Sequence, residues 1–236
     1  MKIAIKLKAF AILTLAFIVF TAIGTVTHEY GHILVAKYFE YETTLHYGSM
    51  NYKSELNEKL FEIYNQNKTA ILNDEYFHQK DEYDNAIKTI QSKGLWITIG
   101  GPLQSILTGL LGLIILLIRK DQIKTFGPKI TDWLVIFLSL FWLREVFNLV
   151  TIVGSAIISP KGDFFGGDEK YISLGLNLWE GTVPIILGIV GLIISLFVIF
   201  KIIPYRIRFT FILSGLLGGI LGFILWMNIL GPIILP

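Results

Sequence analysis

Five apolar stretches, each long enough to cross a lipid bilayer as a helix, constrain this chain more than any other feature. They run from about Ala9 to Phe39, Leu95 to Ile118, Trp133 to Ile158, Leu178 to Phe200 and Phe209 to Leu235. Inside a bilayer every backbone N–H and C=O must find a partner within the protein, and a helix satisfies that need segment by segment. With 53% hydrophobic residues, 16% charged residues and a mean hydropathy of +0.64, the expected fold is an all-α polytopic membrane protein. The net charge of +2 comes from basic residues scattered among loops, which excludes a nucleic-acid groove. The absence of cysteine removes disulfides, thiolate zinc sites and thiol nucleophiles together.

The first span carries its own chemistry. His28-Glu29-Tyr30-Gly31-His32 lies within the apolar run, because Ile33-Leu34-Val35-Ala36 continues it beyond the histidines. Residues four apart share a helix face, so His28 and His32 can hold one Zn²⁺ while Glu29 lies nearby as a base for water. The bland alternative is a pair of histidines satisfied by ordinary hydrogen bonds. Placement favours the metal, since ionisable residues within a membrane segment are costly and face a polar interior where they serve a function. Counting 1.5 Å per residue from Lys8 puts His28 roughly 30 Å along the helix, toward the far end of the span. A secretory signal peptide is the competing reading of Lys2, Lys6, Lys8 and the apolar run behind them, and the continuation past the histidines opposes it.

Between the first and second spans the composition changes. Residues 40–94 form a polar extramembrane insert: from Glu40 to Lys93 the chain holds ten acidic side chains and six lysines. Thr43-Thr44-Leu45-His46-Tyr47-Gly48 reads as a short strand or hairpin, and the spacing of Leu56, Leu60, Ile63, Tyr83, Ile87 and Ile90 predicts amphipathic helices. The organisation is therefore a first helix over 1–39, the insert over 40–94, and four further spans over 95–236. Lys2, Lys6 and Lys8, then Arg119, Lys120, Lys124 and Lys129, then Lys201, Arg206 and Arg208 mark alternate loops. The segments 40–93 and 159–177 are net acidic, so the positive-inside rule predicts a cytoplasmic N-terminus.

A catalytic zinc takes three protein ligands and keeps one position open. The third ligand is expected from the 159–177 loop, on the same side as the histidines. Asp168 follows Gly166 and Gly167, which let the backbone turn toward the membrane; Asp163, Glu169 and Glu145 are the alternatives, and a solvated turn with no ligand is the plain one. In the third span, Arg144 and Asn148 share a face and are suited to orient a substrate carbonyl or to hydrogen-bond a zinc ligand, or else to lock helices through an internal ion pair. Gly100-Gly101-Pro102 lies early in the second span, where it either exposes backbone to a substrate or simply begins a helix.

These residues resemble the site-2 protease family of intramembrane zinc metalloproteases. The likeness rests on His28-Glu29-Tyr30-Gly31-His32 in the first membrane helix, with glycine before the second histidine, on the strand-like segment behind it, and on Gly100-Gly101-Pro102-Leu103. It implies one Zn²⁺ per chain, Glu29 as the catalytic base, and an aspartate in a downstream membrane segment as third ligand, for which Asp168 is the aligned position. The family's asparagine-proline-x-aspartate-glycine context is missing, and Ser105 stands where many members have asparagine. The implied substrate is a membrane-embedded or membrane-proximal protein or peptide. A different class, a metal-binding membrane transporter or scaffold, would need a continuous polar route across the helices. A membrane-anchored protease for soluble peptides would need a site open to water past the insert.

Overall fold

A computed structural model describes residues 5–236; Lys2, used above in the charge asymmetry, lies outside the described residues. Its architecture is the expected one: an all-α polytopic membrane protein with five helical segments long and apolar enough to span a bilayer, and one small two-stranded sheet.

Helix α1 runs over Leu7–Tyr38 without interruption and carries the histidines in its last third. It is followed by a hairpin of β1 (Glu42–Leu45) and β2 (Met50–Lys53), paired antiparallel with Thr43 opposite Tyr52 and Leu45 opposite Met50. The hairpin turn is tied to the end of the chain: Tyr47 N donates to Leu235 O at 2.9 Å, and Trp226 Nε1 donates to Tyr47 O at 2.7 Å.

Helix α2 (Glu55–Leu72) starts at Ser54, whose hydroxyl accepts from Asn57 N at 3.2 Å, the N-cap interaction its sequence offers. It packs against the first turns of α3 and buries Ile63, Phe77 and Ala86 between them. Helix α3 spans Lys80–Phe126, so the insert's second helix and the second membrane span are one continuous element. At 1.5 Å per residue its 47 residues reach about 70 Å, far more than a bilayer core requires. Gly100-Gly101-Pro102 consequently falls in the middle of a helix and does not begin one.

The third span is broken: α4 (Ile130–Ser139) passes through a 3₁₀ turn at Leu140–Trp142 into α5 (Leu143–Ile158). The loop after it folds into a short helix, α6 (Gly167–Gly175). Two spans complete the chain. One is α7 (Thr182–Phe197), ending in a π turn over Val198–Ile202; the other is α8 (Tyr205–Leu225), prolonged by a π turn over Trp226–Leu230 and by α9 (Gly231–Ile234).

Packing divides the molecule into two unlike halves. Helix α1 lies against α3 and α8, α3 against α4 and α6, and α5 against α7. In the half away from the histidines, Leu13, Phe17, Leu116, Ile136, Phe137 and Phe211 form a closed apolar core. Phe17 meets Phe137 edge-on at 4.9 Å between centroids. Lipid tails are as apolar as these side chains, so close van der Waals packing, not transfer out of water, makes this half the anchor that holds α1 and α3 in register. The other half gathers His28, Glu29, His32, Glu145 and Glu169, all buried.

Candidate metal centre

The centre begins with two glycines. Gly31 of α1 and Gly100 of α3 face one another with no side chain between them: a Cβ on Gly31 would strike Gly100 O, and one on Gly100 would come within 2.5 Å of Gly31 O. The two backbones can approach this closely only because both positions lack a Cβ. As a result the inward face of α1, with His28 fully buried and His32 and Glu29 nearly so, lies directly on α3, while Tyr30 and Leu34 point outward.

Helix α3 fixes both imidazoles from behind. His32 Nδ1 lies 2.7 Å from Ile97 O and 3.2 Å from Gly101 N; a carbonyl only accepts, so the shorter contact calls for a proton on Nδ1 and leaves Nε2 its lone pair. His28 Nδ1 lies 3.1 Å from Ser105 Oγ, a hydroxyl able to accept from it. Both Nε2 atoms then turn toward a common point, 3.2 Å apart.

Asp168 closes the triangle. Its Oδ2 stands 2.8 Å from His28 Nε2 and 3.3 Å from His32 Nε2. Ligands at 2.0–2.1 Å around a tetrahedral zinc are separated by about 3.3–3.4 Å, so three donors at these spacings outline one face of such a tetrahedron. The carboxylate arrives there through the glycine pair ahead of it, because Gly167 has φ +76°, a left-handed conformation that favours glycine and turns the chain into the first turn of α6.

Space for an ion is reserved by Gly101. A Cβ at this position would come within 2.5 Å of His28 Nε2 and closer still to His32 Nε2, crowding both ligand atoms. The buried His28–Glu29–His32 group can hold a metal ion. Glu29 lies within 4.8 Å of the histidine ligand atoms, whereas Asp168 is in direct contact with them, which leaves Glu29 beside the ion position as a neighbour.

The other sequence-derived residues fall in different places. Asp163 is turned away to Lys170, whose Nζ donates to it at 2.5 Å and also approaches Glu180 at 3.5 Å. Glu145 of α5 and Glu169 of α6 are near enough for their charges to act on each other; both are 1% exposed, and neither carboxylate meets a hydrogen-bond partner among the described residues. Burial, with the neighbouring Asp168 charge, pushes the Glu169 carboxyl above the usual range. Arg144 is half-buried, its Nε has no partner among the described residues, and its charge acts on His28, Glu29, Glu145 and Glu169. The groups that hydrogen-bond the imidazoles are Ser105 and the Ile97 carbonyl, where the sequence suggested Arg144 or Asn148. Pro102 is buried beside Gly101 and cannot donate to the Thr98 carbonyl one turn back.

Ser105 was visible in the sequence only as a departure from a family pattern, and a backbone carbonyl such as Ile97 O carries no signature in residue type. The facing of Glu145 and Glu169 joins two segments that only the fold brings together.

No protein-family model, curated protein or solved structure matches the chain.

Proposed function

We propose that this protein is an intramembrane zinc metallopeptidase, with His28, His32 and Asp168 as ligands and Glu29 as the catalytic base. The observation that carries the reading is the convergence of three ligand atoms from α1 and α6 on a volume kept clear by Gly101, inside a membrane-spanning bundle. Two neutral imidazoles and a carboxylate are a donor set suited to zinc. When bound, zinc supplies Lewis acidity, making water a nucleophile near neutral pH and polarising a peptide carbonyl.

The chain's own residues perform the rest. Glu29 takes the proton of the attacking water and returns it to the leaving amine. Ile97 O and Ser105 Oγ hold the imidazoles in the tautomer that leaves Nε2 available. The half-buried Arg144 adds positive charge beside this acidic cluster, where it can orient a substrate carbonyl. A membrane-embedded substrate helix must unwind locally at such a site, because its carbonyls are otherwise committed to internal hydrogen bonds. With the N-terminus in the cytoplasm, as the lysines at the start of the sequence favour, the centre lies toward the outer face.

The transporter reading is disfavoured by the aromatic and aliphatic core that fills the opposite half of the bundle, where a continuous polar route would have to pass. The resemblance to the site-2 protease family agrees with the peptidase reading. Its test is Glu29→Gln, assayed on a membrane-anchored reporter helix reconstituted with the protein. Zinc content is expected to stay at one per chain while cleavage falls by about 10²-fold or more. Undiminished cleavage in this variant would remove Glu29 from the mechanism.

A further inference from the structure

A second pocket lies on the same α1–α3 seam, one to two turns beyond His32 toward the insert. It is a cavity of 350 Å³ lined by Val35, Tyr38, Phe39, Ser92, Lys93 and Trp96. Its position is at the membrane boundary, since Lys93 immediately precedes the apolar run of α3 and Tyr38 is the last residue of α1. Tyr38 is 82% exposed and Trp96 57% exposed, so the rim presents the two side chains typical of a bilayer interface to the outside of the bundle.

The charge in this pocket is held in place and left uncompensated. Lys93 Nζ lies 5.3 Å from the ring centroids of both Phe39 and Tyr41, and Tyr41 stacks on Tyr52 of the hairpin at 5.4 Å. Cation–π contact fixes the ammonium without neutralising it. Among the described residues Lys93 makes no ion pair, unlike Lys59, Lys80 and Lys170. A fixed cation, a neighbouring Ser92 hydroxyl and an apolar wall open to the bilayer are complementary to one chemistry: a phosphate joined to acyl chains.

We propose that this pocket binds an anionic phospholipid, with the phosphate at Lys93 and Ser92 and the upper acyl chain along Val35 and Trp96. The bound lipid lies directly above the metal centre, since Val35 touches Gly100 and Ile97 follows Trp96. This inference goes beyond the peptidase reading, and its readout needs neither zinc nor cleavage.

The test is native mass spectrometry of the full chain in dodecylmaltoside, titrated with phosphatidylglycerol or phosphatidylcholine. One phosphatidylglycerol is expected to bind about fivefold more tightly than phosphatidylcholine, the preference one interfacial lysine supplies. Lys93→Gln should abolish the preference and Lys93→Arg should keep it. Equal binding of the two lipids by the unaltered protein, or an unchanged preference in Lys93→Gln, would overturn the proposal. So would photocrosslinking from p-benzoylphenylalanine at position 96, in vesicles of 20 mol% phosphatidylglycerol, that captured the reporter helix or a second copy of this chain in place of lipid.

Discussion

Asp168 Oδ2 stands 2.8 Å from His28 Nε2 although 140 residues separate them in the chain. That contact turns a helical pair of histidines into a three-donor centre, and it ranks the acidic residues of the 159–177 loop. Asp168→Ala should reduce zinc in the purified protein from one per chain to near zero, as should His28→Ala and His32→Ala. Asp163→Ala should leave it unchanged, because that carboxylate is committed to Lys170 at the surface. Elemental analysis of the four variants decides the assignment, and retention of zinc by Asp168→Ala would move the third ligand elsewhere.

Gly101 offers a test that touches no ligand. Its missing Cβ keeps open the volume beside both Nε2 atoms, so Gly101→Ala should displace the ion while the apolar half of the bundle stays folded. The expected result is a protein with wild-type helicity, no zinc and no cleavage. Normal zinc content in this variant would mean that the ion lies on another side of the imidazoles.

The residues that the sequence made legible are those whose chemistry is local. Five apolar runs announced five spans because lipid demands that length, and the four-residue spacing of His28 and His32 announced a shared face whatever packed against it. Gly166 and Gly167 signalled a turn ahead of Asp168, and Gly167 does adopt a left-handed φ. What stayed hidden depends on tertiary context. The polar stretch around Ser92 and Lys93 marks where α3 leaves the membrane, not where its backbone ends, so hydropathy divided one helix into two. The 3₁₀ turn at Leu140–Trp142 interrupts the third span where no glycine or proline stands within ten residues to betray it.

Ser105 is expected to act through His28. Its hydroxyl is the partner of Nδ1 in a buried site, and loss of such an orienting group costs about 10–100-fold in metal affinity. Competition with a zinc-buffering chelator should show this shift for Ser105→Ala, with helicity unchanged. An affinity equal to that of the unaltered protein would show that burial alone holds the imidazole.

Gly31 tests the close crossing of α1 and α3. A methyl group there meets the Gly100 carbonyl, and overpacking of this kind costs about 1–3 kcal/mol. Gly31→Ala should therefore lower the thermal midpoint in detergent and, by parting the helices, lengthen the His32–Ile97 contact and weaken zinc binding. Gly24→Ala is the control, since nothing lies within 4 Å of a Cβ at that position, and it should behave as the unaltered protein.

The buried carboxyls of Glu145 and Glu169 predict how stability responds to pH. Glu169 has its folded-state pKa raised above the ordinary 4.5, first by burial and then by the charge of Asp168. A carboxyl of this kind binds more protons folded than unfolded, so its contribution is fully present below its unfolded pKa and is lost as pH rises through the folded value. Metal-free protein in detergent should accordingly lose thermal stability as pH rises above about 4.5, over a window that Glu169 helps to set. Glu169→Gln replaces one acid with an amide that can donate to Glu145 at any pH, and should flatten this dependence and raise the midpoint at pH 8. An identical slope in the variant would show that protonation of Glu169 does not govern the pH dependence.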